Sequence, residues 1–266
     1  MGNFSETQIC NRIKQQALRA ARDFGEYNNK TFFEKTQVIC SQLGSVIKGS
    51  AVIEDDLFLN VMNSFGFTEE DYTYLQELNY RYRYLPENKK IIVINYFIAS
   101  VIAIGMEEEV KSLKEAKIKN EEQNSDIDNE VSTEAKEVDY RGLILKMTRE
   151  IYGFSQEKVI LDLNISKNFL PRIEKGDTKE IDINVNGILE FYGLSWQSLE
   201  ELAFIYELKK TEYINIIDNR IFNYKMRSLI LEKILTDDSI ENENNTKYVF
   251  EELNERLLVR KERIRE

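Results

Sequence analysis

The chain has 266 residues, 42% hydrophobic and 31% charged, with two prolines and eleven glycines. That is enough for two domains of ordinary size, and so few breakers leave room for little besides helix. A net charge of −11 excludes indiscriminate coating of nucleic acid, and the absence of histidine excludes imidazole metal ligands and Ser–His or Cys–His nucleophile pairs.

Met1-Gly2-Asn3-Phe4-Ser5-Glu6 looks like a myristoylation start, but Glu6 holds the position that motif gives to Ser or Thr. No secretion signal precedes the first helix, and a cytoplasmic location is expected. Cys10 and Cys40 are too far apart for a metal-binding pair and too few for a disulfide framework. Both fall in helical apolar patterns and read as buried thiols.

Residues 1–116 read as a first helical domain. Tyr80-Arg81-Tyr82-Arg83-Tyr84 either stacks on nucleic acid or closes a helix, with arginines at the negative pole; the second reading is preferred. Pro86 suits the first turn of the helix that follows. Ile91 to Met106 is uncharged but shorter than the roughly 20 residues that span a bilayer. It also contains Asn95, Ser100 and Gly105, and Lys89-Lys90 and Glu107-Glu108-Glu109 close it off. The segment predicts a helix buried on all sides, with no membrane partner. Residues 117–138 have almost no apolar side chains and read as a flexible acidic linker.

Residues 139–235 read as a second helical domain, followed over 236–266 by a polar loop and a terminal helix. Ser155 is a good N-cap, with Lys158 in place of the Glu of a full capping box. Val159, Ile160 and Leu163 then line one face of a short helix. Asn164-Ile165-Ser166 makes a turn in which Ser166 can cap the next helix. Phe169, Leu170 and Ile173 bury that helix, and Gly176 supplies the left-handed residue that ends it. Pro171 lies inside it, so the helix must begin near Asn168 or kink. In the terminal helix, Val249, Leu253, Leu257 and Ile264 form a narrow apolar stripe beside Leu258. Such a stripe docks on the parent domain or pairs with another chain.

The ordered set Gly153-Phe154-Ser155-Gln156-Glu157, Ile165-Ser166, Arg172-Ile173-Glu174-Lys175-Gly176 and the closing Leu189 to Ser195 resembles the five-helix, helix-turn-helix DNA-binding domain of the lambda-repressor/Cro-like (XRE) family. The resemblance spans about 60 residues, from Leu143 to Leu202. It implies an all-α fold with a C-terminal helical extension, and double-stranded DNA as partner. By resemblance, Gln156 would hold a phosphate, and Ser166, Lys167, Asn168, Arg172 and Lys175 would face DNA from the recognition helix and its end. The segment does not advertise a basic face: Arg141 to Ile205 holds eight Lys or Arg against ten Asp or Glu.

A second copy of this pattern is expected in the first half. At an offset of 127 residues Gly49 falls on Gly176, Gly66 on Gly193, Arg22 on Arg149 and Lys48 on Lys175. The loop from Glu26 to Lys30 reads as out of register, and Ile47 stands where the second copy has Glu174. The first copy is thus expected to keep the fold and not the reading function.

Gly-rich phosphate loops, Gly-x-Ser-x-Gly and paired catalytic carboxylates are lacking, so neither an enzyme nor a cofactor is expected. The reading reached is a bacterial or mobile-element, sequence-specific DNA-binding transcriptional regulator. The alternative is a helix-turn-helix protein that binds a partner regulator instead of DNA. A protein partner or a homodimer would use the N-terminal half or the C-terminal helix.

Overall fold

A computed structural model describes residues 6–121, 139–176, 185–210, 216–236 and 245–263. The fold is all-α, and the described residues contain no strand. Six helices occupy the first half: α1 (Glu6–Asp23), α2 (Asn29–Thr36), α3 (Cys40–Ile47), α4 (Asp55–Asn63), α5 (Glu69–Arg81) and α6 (Glu87–Glu121). Then come α7 (Arg141–Tyr152), α8 (Gln156–Asp162), α9 (Phe169–Ile173), α10 (Asn186–Tyr192), α11 (Trp196–Lys210), α12 (Ile216–Thr236) and α13 (Asn245–Arg263). Helix α6 runs to Glu121, past the point where composition alone places the start of a linker; residues 122–138 and 237–244 lie outside the described residues. So do the side chains of Cys10 and Cys40, and Ile264.

The backbone carries the offset of 127 more faithfully than the side chains do. Eight described residues have left-handed φ, and they form four pairs at that spacing: Glu26 and Gly153, Gln37 and Asn164, Gly49 and Gly176, Gly66 and Gly193. The caps agree as well. Asn28 and Ser155 each accept from the backbone N–H three residues on, and so do Thr68 and Ser195. The loop after α1 is therefore in register, contrary to the sequence reading: Glu26 adopts the conformation that Gly153 adopts, and Tyr27 N–H reaches Arg22 O as Phe154 N–H reaches Arg149 O. A non-glycine residue tolerates this backbone at a cost of about 1–2 kcal/mol, so residue type conceals the match. Gln37, at φ 57°, ends α2 in the same strained way. Gln37→Gly should accordingly stabilise the protein by about 1 kcal/mol, read as a rise in its urea midpoint.

The two long helices α6 and α12 make the most extensive helix–helix contact and form the centre of the molecule. Every residue from Ile92 to Ala103 is buried, so α6 is apolar all round because it is surrounded by protein. Its two polar residues in that run have partners inside the protein. Asn95 donates to Ile151 O at 2.9 Å and accepts from Gln16 at 3.1 Å; the Ser100 and Ser228 hydroxyls meet at 2.7 Å. Where α6 passes the end of α4, Gly105 meets Gly66 so closely that a Cβ on Gly66 would lie 2.8 Å from Gly105 Cα. Helix α12 also seals the end of α1. The Tyr224 hydroxyl donates to Ala21 O, and the fully buried Arg227 donates to Phe24 O at 3.0 Å and to Glu150 at 2.9 Å.

Helix α13 buries Val249, Leu253 and Leu257 against α6 and α12, leaving Leu258 exposed. The stripe is thus consumed within the chain, partly on the opposite half and not on its own half alone. Glu252 binds Arg81 and the Tyr82 hydroxyl, and Arg260 binds Asp71 and Gly66 O. Tyr82 is the C-cap of α5 and Arg81 its last residue, so the Tyr–Arg cluster closes a helix. Burial, then the neighbouring Glu252, holds the Tyr82 hydroxyl well above the usual tyrosine range.

Candidate nucleic-acid interface

The segment from α7 to α9 builds a short presented helix from local signals. Gly153, at φ 70°, ends α7, and two residues later Ser155 caps α8 by accepting from Lys158 N–H at 3.1 Å. Asn164, at φ 51°, turns the chain. Helix α9 then spans only Phe169–Ile173, with Asn168 as its N-cap. Pro171 is its third residue, inside the first turn, where a missing N–H leaves no gap in the helix. Ser166, expected as the cap, does not hold that place: the helix begins two residues later and has no side-chain cap. The proline sets this late start.

Phe169, Leu170 and Ile173 anchor one side of α9 in the core. Behind them lies a buried ion pair, with side chains only 11% and 3% exposed, between Arg149 of α7 and Glu174 at the end of α9. Two N–H groups of Arg149 reach the two carboxylate oxygens at 2.6 and 2.9 Å, and a third donates to Phe154 O at 2.8 Å. The Gln156 amide also donates to Glu174, at 2.7 Å. Gln156, expected to hold a phosphate, is half-buried and already engaged as a second brace on α9. The stacked rings of Tyr152 and Phe154 and the Tyr152 hydroxyl bond to Tyr192 O support the same corner. Burial raises the hydroxyl pKa of both Tyr152 and Tyr192 above the ordinary value.

The other five candidates come to the surface together. Ser166, Lys167, Asn168, Arg172 and Lys175 are all exposed, on α9 or within a few residues of its ends. Among the described residues, the nearby exposed carboxylates are Glu157 and Asp162, and Asp162 pairs with Lys158 at 2.7 Å. Glu174 is buried against Arg149, so the exposed charge from α8 through Lys175 is four cations against two anions. The negative total counted over the wider sequence therefore does not describe this face. An outer row of donors on a rigidly seated short helix can meet phosphates and base edges.

Cavities lie elsewhere among the described residues, one of them between α1, α6 and α7 and another between α5 and α13. Both have mixed-charge linings, with Arg12, Arg19 and Asp23 in the first and Glu70, Asp71 and Arg260 in the second. No cluster of metal-ligating side chains occurs among the described residues. No family model matches the chain, and neither a curated protein nor a solved structure matches it.

Proposed function

We propose that the chain is a sequence-specific DNA-binding regulator of transcription, XRE-like in its second half and acting in a bacterial cytoplasm. One observation carries this reading: the joint exposure of Ser166, Lys167, Asn168, Arg172 and Lys175 on and around α9. In it, Lys167, Arg172 and Lys175 neutralise phosphates, and Asn168 reads a base edge. The four left-handed pairs at one offset support a tandem origin of the two halves, the first having lost its cationic head.

A second reading, a partner-binding module that has left DNA, draws support from the engagement of Gln156 with Glu174 and from the net charge of −11. Salt-titrated binding to the DNA upstream of its own gene separates the two. Under the DNA reading, Lys167→Ala and Arg172→Ala each weaken binding and flatten the log–log salt slope by about one unit. Asn168→Ala instead relaxes base preference, by about 1–3 kcal/mol at one position. Salt-independent or undetectable binding of the wild type sinks the DNA reading and leaves the partner-binding one.

A further inference from the structure

The cavity between α1, α6 and α7 lies where the two halves meet, and its volume is about 200 Å³. At about 30 Å³ per water that is room for roughly seven waters, less than the 300 Å³ or more of pockets that take drug-sized molecules. Its floor is apolar, with Ala20, Phe24 and Ile151 all buried. Its polar wall is one row on α1: Arg12, Gln16, Arg19 and Asp23 stand three or four residues apart and share a helix face with Gln15 beside them. The nitrogens of this row go to carbonyls of three other helices. Gln15 donates to Ile47 O at 2.8 Å, Gln16 to Ile91 O at 3.2 Å, and Arg19 to Gly153 O at 3.2 Å. The side-chain oxygens of Gln15 and Gln16 accept from nothing among the described residues. The charges are unevenly matched. Arg22 takes Asp23 at 2.7 Å, Arg227 takes Glu150 at 2.9 Å and Glu87 takes Arg12 at 2.6 Å, which leaves Arg19 sharing Asp23 at 3.5 Å. A Cβ on Gly153 would lie 2.5 Å from Arg19 Nη2, so glycine there makes the room that the guanidinium occupies.

We propose that this cavity binds a free α-amino acid with a small apolar side chain, and that its occupancy changes how α7 holds α9. The second clause rests on the DNA-reading role above; the binding does not. The unused valences select the ligand. Arg19 has N–H groups to give an anion, and a guanidinium meets a carboxylate with two parallel bonds. The two glutamine oxygens ask for N–H donors, which an ammonium supplies. The floor takes an apolar body, and the volume keeps that body small. An amino acid carries all three on one carbon. The opposite wall is the last turn of α7 and its cap, Glu150 to Gly153. Arg149 in that turn grips Glu174 at the end of α9 and Phe154 O just past Gly153. A carboxylate that draws Arg19 off Gly153 O therefore removes a donor from the corner that seats α9.

Thermal melts and calorimetric titration of the full chain with L-alanine, L-valine and L-leucine test the site. At least one should raise the melting temperature saturably, as binding to the folded state requires, with one molecule bound per chain. The amide of that amino acid lacks the carboxylate, and its des-amino acid lacks the ammonium. Each should bind about tenfold more weakly or worse, the loss expected for one charged hydrogen-bonding group. Arg19→Ala should weaken the parent amino acid by a similar factor, with wild-type circular dichroism, because Arg19 is half exposed. The proposal is overturned if none of the three shifts the melt, if the amide binds as tightly as the acid, or if Arg19→Ala binds like the wild type. Saturating amino acid should weaken binding to upstream DNA about tenfold, and DNA should weaken amino-acid binding by the same factor. DNA affinity that is unmoved or raised overturns the coupling. A chain that binds the amino acid but never DNA sinks the DNA reading and leaves the site standing.

Discussion

Glu174→Leu should destabilise the protein by about 3–5 kcal/mol, because it strands the Arg149 guanidinium in a site with almost no water. The guanidinium would lose both carboxylate contacts, and the Gln156 amide would lose its acceptor. Arg149→Leu should cost a similar amount from the other side, leaving a buried carboxylate held by Gln156 alone. The double variant Arg149→Leu with Glu174→Leu should recover most of the loss, since two leucines restore an apolar contact without isolated charge. Urea unfolding of the three variants measures this directly. Losses below about 1 kcal/mol in both single variants would show that solvent reaches the pair and that it does not brace α9. The double variant separates stability from orientation: folded but with weakened DNA binding, it would mark the pair as what aims the outer face of α9.

The sequence makes some of these features legible and hides others for identifiable reasons. The all-helical class follows from the scarcity of breakers, and the burial of Ile92 to Ala103 from an apolar run without periodicity, closed by charges. Pro171 forces the late start of α9 by removing a backbone donor, a constraint that needs no tertiary information. The glycine pairs are visible because glycine marks left-handed backbone. Glu26 and Gln37 carry no such mark, so half of the matching turns stay hidden until φ is known.

The buried pair is hidden from the sequence for a different reason. Arg149 and Glu174 are 25 residues apart, and a single sequence holds no contact information at that range. One signal was present: Arg149 stands in the apolar stripe of α7, four residues after Leu145 and two before Ile151. A charge inside such a stripe asks for a partner. Periodicity likewise shows that α13 buries Val249, Leu253 and Leu257, but it cannot name the target. The contact between Arg260 and Asp71 joins residues 189 apart. The resemblance alone points to the cluster on α9, and the diversion of Gln156 to Glu174 depends on where the fold places Glu174.

Gly142→Ala should be the most damaging small substitution in the second half, although helix propensity alone favours it. In an open helix interior, replacing glycine by alanine gains roughly 0.5–1 kcal/mol. Gly187, in the first turn of α10, has nothing within 4 Å of an added Cβ among the described residues, and Gly187→Ala should raise stability by up to that amount. At Gly142 an added Cβ would sit 1.9 Å from Ile173 O and 3.0 Å from Ile173 C. Both are backbone atoms at the end of α9, so no rotamer change relieves the clash. Carbon and oxygen resist approach much inside roughly 3.5 Å, and α7 would have to separate from α9. That separation pulls against the Arg149–Glu174 pair, which joins the same two helices one or two turns further on. The expected cost is about 3 kcal/mol or more, in a thermal or urea melt compared with Gly187→Ala. A Gly142→Ala variant as stable as the wild type would mean that α7 and α9 do not cross this closely in solution, and with it the seat of α9 would have to be redrawn.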